Sequence, residues 1–126
     1  MAESIERYFR LMPVGHKQRP STRLWCPAAD VYQTKNGWIV KVELAGVHVE
    51  EVEVSIQGAS LHISGCRRDH FYGESATLHQ LEITYSRFER ILRFPCPIEG
   101  ALLERDYRDG LLILYLRGGE NCEETK

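Results

Sequence analysis

Trp38-Ile39-Val40-Lys41-Val42-Glu43-Leu44 is the stretch on which the fold turns. Trp38, Val40, Val42 and Leu44 alternate with Ile39, Lys41 and Glu43, and successive side chains of an extended chain point to opposite faces. This period-two pattern describes a half-buried strand. Immediately upstream, Thr34-Lys35-Asn36-Gly37 supplies a hairpin turn, because Asn-Gly tolerates the positive φ that such turns need. It joins Val31-Tyr32-Gln33 to the Trp38 strand. Downstream, Val52, Val54 and Ile56 alternate with Glu53, Ser55 and Gln57. Gly58-Ala59-Ser60 then turns the chain into Leu61-His62-Ile63-Ser64, with Leu61 and Ile63 facing one way. Near the other end, Asp109-Gly110 is a tight-turn dipeptide between the last two strands. Leu111 to Leu116 is apolar on both faces, the pattern of a strand deep in a sandwich. Short strands at this spacing, with turn signals between them, predict an all-β antiparallel sandwich.

The alternation fails between Gly65 and Leu78. Cys66-Arg67-Arg68-Asp69-His70-Phe71-Tyr72-Gly73-Glu74-Ser75-Ala76-Thr77 is polar, dotted with aromatics and too long for an ordinary hairpin connection. Loops of that length inside a small domain are usually functional or bound to a partner. Strand character is expected again from Leu81-Glu82-Ile83-Thr84-Tyr85, running through Phe88 to Phe94. Pro95 and Pro97 stop it, since proline cannot donate to a ladder.

The chain has 126 residues, one domain's worth, and 43% of them are hydrophobic, enough for a single core. A formal net charge of −2 argues against nucleic-acid binding, which usually leaves a strongly basic footprint. No run approaches the ~18 apolar residues of a membrane span. Met1-Ala2-Glu3-Ser4-Ile5-Glu6 carries acids where a signal peptide has positive charge, so a cytoplasmic location is expected. Cys26, Cys66, Cys96 and Cys122 form no Cys-x-x-Cys pair and no zinc spacing, and reduced thiols are expected in that compartment. The histidines His16, His48, His62, His70 and His79 are scattered singly, and no nucleophile elbow, phosphate loop or dinucleotide fingerprint occurs. Neither catalysis nor a cofactor or metal is expected.

Residues 1–27 form an irregular arm broken by Pro13, Gly15, Pro20 and Pro27. Its first turns have helical spacing, with Ile5, Tyr8, Phe9 and Met12 on one apolar face. Arg7, Arg10, Lys17, Arg19 and Arg23 outweigh Glu3 and Glu6. Two readings stay open, a disordered solvated leader or a sticky segment for clients or partners. Residues 28–117 carry the strands, and residues 118–126 are a polar, acidic tail expected to be disordered.

Three ordered segments give the chain its resemblance to the small heat-shock proteins of the α-crystallin family, in their bacterial-type branch. The first runs from Pro27-Ala28-Ala29-Asp30-Val31-Tyr32 to Val42-Glu43-Leu44-Ala45-Gly46-Val47. The second is Leu61-His62-Ile63-Ser64-Gly65, followed after the loop by Tyr85-Ser86-Arg87-Phe88-Glu89-Arg90-Ile91-Leu92-Arg93-Phe94-Pro95. The third is Tyr107-Arg108-Asp109-Gly110-Leu111-Leu112. The resemblance implies an immunoglobulin-like two-sheet sandwich that forms homodimers and holds unfolding client proteins without ATP. It also implies that the long loop supplies a strand to the partner's sheet, here Phe71 to Leu78, with Phe71, Tyr72 and Leu78 as its apolar residues. Such exchange would satisfy an otherwise exposed sheet edge.

Arg90 is in phase with Phe88, Leu92 and Phe94, which puts a guanidinium on an apolar face. It is expected to anchor on a carboxylate or on backbone carbonyls, unless strand twist lets it snorkel to water. The candidate client surfaces are Ile5, Tyr8, Phe9, Leu11 and Met12 of the arm and the edge groove of Val52, Val54 and Ile56. Family tails usually carry an I-x-(I/V) motif that docks beside the Val52–Ile56 strand. Residues 118–126 have none, and Arg105 stands where a small residue usually lines that groove. These departures point to a dimer or small arm-mediated assemblies. A second function class is a non-enzymatic adaptor or co-chaperone on a related CS-type sandwich. A third is a carbohydrate-binding or hydrolytic sandwich, for which no aromatic platform or carboxylate pair is readable.

Overall fold

The structure is a computed structural model that describes residues 24–69 and 76–119. Its strands are β1 (Ala29–Thr34), β2 (Gly37–Glu43), β3 (Glu53–Gln57), β4 (Ser60–Cys66), β5 (Arg87–Arg93), β6 (Leu102–Arg108) and β7 (Leu111–Arg117). They build two antiparallel sheets, one ordered β1-β2-β7-β6 and the other β3-β4-β5. The period-two residues face inward in both. Val40 and Val42 of β2 are buried, as are Leu112, Leu114 and Leu116 of β7, Leu61 and Ile63 of β4, and Phe88 of β5. Removing that apolar surface from water is the main force holding the sheets together.

The strand that is apolar on both faces lies at the centre of the larger sheet. β7 pairs with β2 on one side and β6 on the other, and its outward residues Leu111, Ile113 and Tyr115 are half-buried by their neighbours. At the β6–β7 hairpin, Asp109 and Gly110 have φ of 54° and 79°, the pair of left-handed residues a two-residue turn requires. The β1–β2 hairpin sits where Asn36-Gly37 places it, but it works differently. Its two loop residues are Lys35 and Asn36, and Asn36 is not among the residues with positive φ. Gly37 is needed for space, because a Cβ there would collide with the backbone carbonyl of Leu116.

Residues 81–85 form no strand, against the expectation from their alternation. Pairing with β4 starts at Cys66↔Arg87, one further backbone bond runs from the Arg67 amide to the Ser86 carbonyl, and beyond it the Thr84 carbonyl accepts from the Arg67 guanidinium. A single 3₁₀ turn at Val49–Glu51, unread in the sequence, carries the chain from the β2 side to β3. The thiol expectation holds at Cys26 and Cys66, which are free, and fails at Cys96, which is disulfide-bonded. Spacing along the chain reports metal knuckles but not which cysteines the fold brings together.

Candidate functional site

A four-stranded sheet over a three-stranded one leaves two open sides. On one, the edge strand β6 stands over the edge strand β3; on the other, β1 stands beside β5. Edge strands present unpaired backbone groups and are the natural places for another chain to add.

At the β3–β6 side, Val54 and Ile56 are half-buried and pack against the core together with Leu103 and Tyr107 of β6. Val52, just before β3, is itself part of the core at 5% exposure, so Val54 and Ile56 carry the accessible apolar surface of the predicted groove. Arg105 bridges this opening. It occupies an inward-phase position on β6, opposite Leu114, and its Nη1 donates to the Val52 carbonyl at 3.2 Å. Deeper in, the Tyr107 hydroxyl donates to the Leu44 carbonyl at 2.7 Å and ties β6 to the end of β2.

The β1–β5 side is richer in exposed apolar side chains. Val31 and Tyr32 on β1, Ile91 on β5, Leu24 ahead of β1 and Ile83 ahead of β5 all belong to elements on this side, and all are exposed. The Lys41 ammonium lies 5.1 Å from the centre of the Tyr32 ring, a cation–π contact on the outer face. Leu78 is half-buried in the irregular segment before β5. Phe71 and Tyr72 of the predicted exchange strand lie outside the described residues, as do Ile5, Tyr8, Phe9, Leu11 and Met12.

Two arginines hold this side together. Arg90 is on the inward face of β5, as its phase requires, and its Nη1 donates to the Pro27 carbonyl at 3.2 Å, with the Cys26 Sγ at 3.7 Å. It therefore anchors on backbone, pulling the entry to β1 down onto β5. The same entry is fixed by Trp25, whose amide donates to the Arg87 carbonyl at 2.9 Å and whose ring packs edge-on against Phe88.

Arg67 was not legible in the sequence. It follows β4, and its Nε and Nη2 fork onto the Thr84 carbonyl at 2.9 and 2.7 Å while Nη1 reaches the Ala45 carbonyl at 3.2 Å. Its guanidinium carbon lies 3.8 Å from the centre of the Trp25 ring. Burial lowers the pKa of this guanidinium from the ordinary arginine value, with Tyr85 pulling the other way. No local pattern announces such a residue, because Trp25, Ala45 and Thr84 converge only in the folded chain.

Among the described residues, no group of three or more His, Cys, Asp or Glu side chains is arranged to hold a metal ion. No described helix is long and apolar enough to cross a membrane. The chemistry on offer is that of surfaces, namely open sheet edges and half-buried apolar side chains.

Residues 30–126 match the sequence profile of the Hsp20/alpha crystallin family. "Spore protein SP21" of Stigmatella aurantiaca is 31% identical over 90 residues, which make up 71% of this chain. The chain spans about half of that protein's length, 53%. "Heat shock protein 16" of Schizosaccharomyces pombe is 31% identical over 102 residues, 79% of this chain and 71% of that one. The solved structure of heat shock protein 16.0 from the same yeast superposes with a TM-score of 0.69 at 28% identity, covering 81% of this chain and 94% of that chain. With its profile matched from the first strand onward and its two sheets superposed, the chain belongs to the Hsp20/alpha crystallin family.

Proposed function

We propose that this protein is a cytoplasmic, non-enzymatic holdase that binds unfolding proteins without ATP and keeps them from aggregating. The observation that carries the reading is the pair of open sheet edges, one lined by Val54 and Ile56 and the other by Val31 and Tyr32. Unfolding clients expose extended apolar segments, and an edge strand flanked by apolar side chains receives such segments through backbone hydrogen bonds and side-chain burial together. The arm residues Ile5, Tyr8, Phe9, Leu11 and Met12 are the second client surface of the proposal.

The working unit is a homodimer in which the loop around Phe71, Tyr72 and Leu78 adds a strand to the partner's β1 edge. Support comes from the number of exposed apolar residues on that side and from the length of the 67–86 connection, which is far more than β4 and β5 need to pair. The test of function is light scattering of a heated model client at an equimolar ratio, without nucleotide. Suppressed scattering is the expected result, and scattering identical to that of the client alone overturns the proposal.

A further inference from the structure

Arg67 touches three chain segments remote from one another, namely the entry at Trp25, the β2 exit at Ala45 and the neck of the loop at Thr84. The neck is closed twice by this one residue. Its amide donates to the Ser86 carbonyl at 3.0 Å, and its guanidinium takes the Thr84 carbonyl through two nitrogens. The carbon of the same guanidinium lies over the Trp25 ring, 3.8 Å from its centre, and 5.9 Å from the centre of the Tyr85 ring. The N–H groups go to the loop and to Ala45, while the ring of Trp25 lies beside the guanidinium carbon.

We infer that Arg67 is a positioning residue that couples residues 24–28, where the arm joins the sandwich, to residues 76–86, where the exchange loop returns to it. A guanidinium fixed in orientation by its fork onto Thr84 presents a ready face to Trp25. Conversely, a Trp25 ring packed on that face holds the fork in place. Ordering either segment lowers the cost of ordering the other, and such coupling is reciprocal by thermodynamic necessity. The consequence for activity rests on the holdase reading above: the arm that meets clients and the loop that meets the partner would share one joint, so release of one loosens the other.

Lysine cannot substitute. An ammonium has no flat face to stack and no planar fork, so it cannot serve the Thr84 carbonyl and the indole together. Nor is the neighbouring Arg68 equivalent, since its side chain is well exposed and pairs only loosely with Glu51 at 3.8 Å.

The test is amide hydrogen exchange followed by mass spectrometry on the full chain and four variants: Trp25→Ala, Trp25→Phe, Arg67→Lys and Arg68→Ala. Trp25→Ala is expected to speed exchange in residues 76–86 by roughly two- to fivefold, the factor that corresponds to a partly exposed cation–π contact. Trp25→Phe keeps a ring against Phe88 but stacks less well, and should give a smaller change in the same segment. It also serves if the alanine variant fails to fold. Arg67→Lys should speed both 24–28 and 76–86, and Arg68→Ala neither. A general loss of stability would speed the central amides of β2 and β7 as well, so the proposal requires that those stay protected. Unchanged exchange in 76–86 when Trp25 is replaced overturns the coupling, as does full protection of both segments in Arg67→Lys. Because the measurement involves no client, its failure leaves the holdase reading standing, and failure of the scattering assay leaves the coupling standing.

Discussion

A guanidinium taken partly out of water needs an acceptor, and Arg67, Arg90 and Arg105 each find a backbone carbonyl of a remote segment. Arg90 was readable because its phase alone put it on the face of Phe88 and Leu92; what it binds was not, since Pro27 is remote in sequence. Its loss leaves the carbonyl of a buried residue without its charged donor, which costs about 1.5–2 kcal/mol. Arg90→Ala should therefore lower the Tm by roughly 5–10 °C in differential scanning calorimetry, and an unchanged transition would count against the anchor. Arg105 makes the opposite case. It is exposed and its single bond is to the Val52 carbonyl at the mouth of the β3–β6 cleft, so Arg105→Ala should shift stability by less than ~1 kcal/mol. The same change should strengthen binding of an extended apolar peptide, read by fluorescence anisotropy. No gain in affinity would mean that Val54 and Ile56 are not a client surface.

At the level of elements, the strands were legible wherever burial on one face imposed alternation, as in β2, β3 and β4, and wherever turn chemistry was local, as at Asp109-Gly110. They were illegible where a side chain from elsewhere redirected the backbone. Residues 81–85 alternate like a strand yet form none, and the side chain that holds the Thr84 carbonyl, Arg67, lies outside those five residues. The loop they belong to is the one proposed to add a strand to the partner. Excising residues 70–80 and joining the ends with a short Gly-Ser linker keeps Leu81, which is buried, and both ends of the neck. Sedimentation velocity should then find monomers, with dimers expected for the intact chain. Dimers that persist would remove the loop from the interface.

For the whole molecule, the all-β sandwich and its family were written in the ordered motifs, because each turn and inward residue agrees with the same two-sheet fold. Arg105 places a guanidinium across the β3–β6 cleft, a surface open to a neighbouring chain, and on that ground native mass spectrometry is expected to find dimers or small assemblies. A monodisperse particle of roughly twelve or more subunits would overturn this.

The pairing of β2 with β7 has a further consequence in time. It zips residues 37–43 against 111–117, the ends of nearly the whole sandwich, while β3–β4 and β6–β7 are closed by two-residue turns. Local hairpins form in microseconds, whereas a pairing between distant segments must wait on a long search. Until that seam closes, Val40 and Val42 have no Leu112 or Leu114 beside them. A newly made chain thus passes through a stage with its own inner strands uncovered, resembling the molecules it is proposed to protect. The Trp38 ring, stacked edge-on against Phe94 at 5.0 Å, sits at the seam where a stopped-flow fluorescence trace would catch the closing.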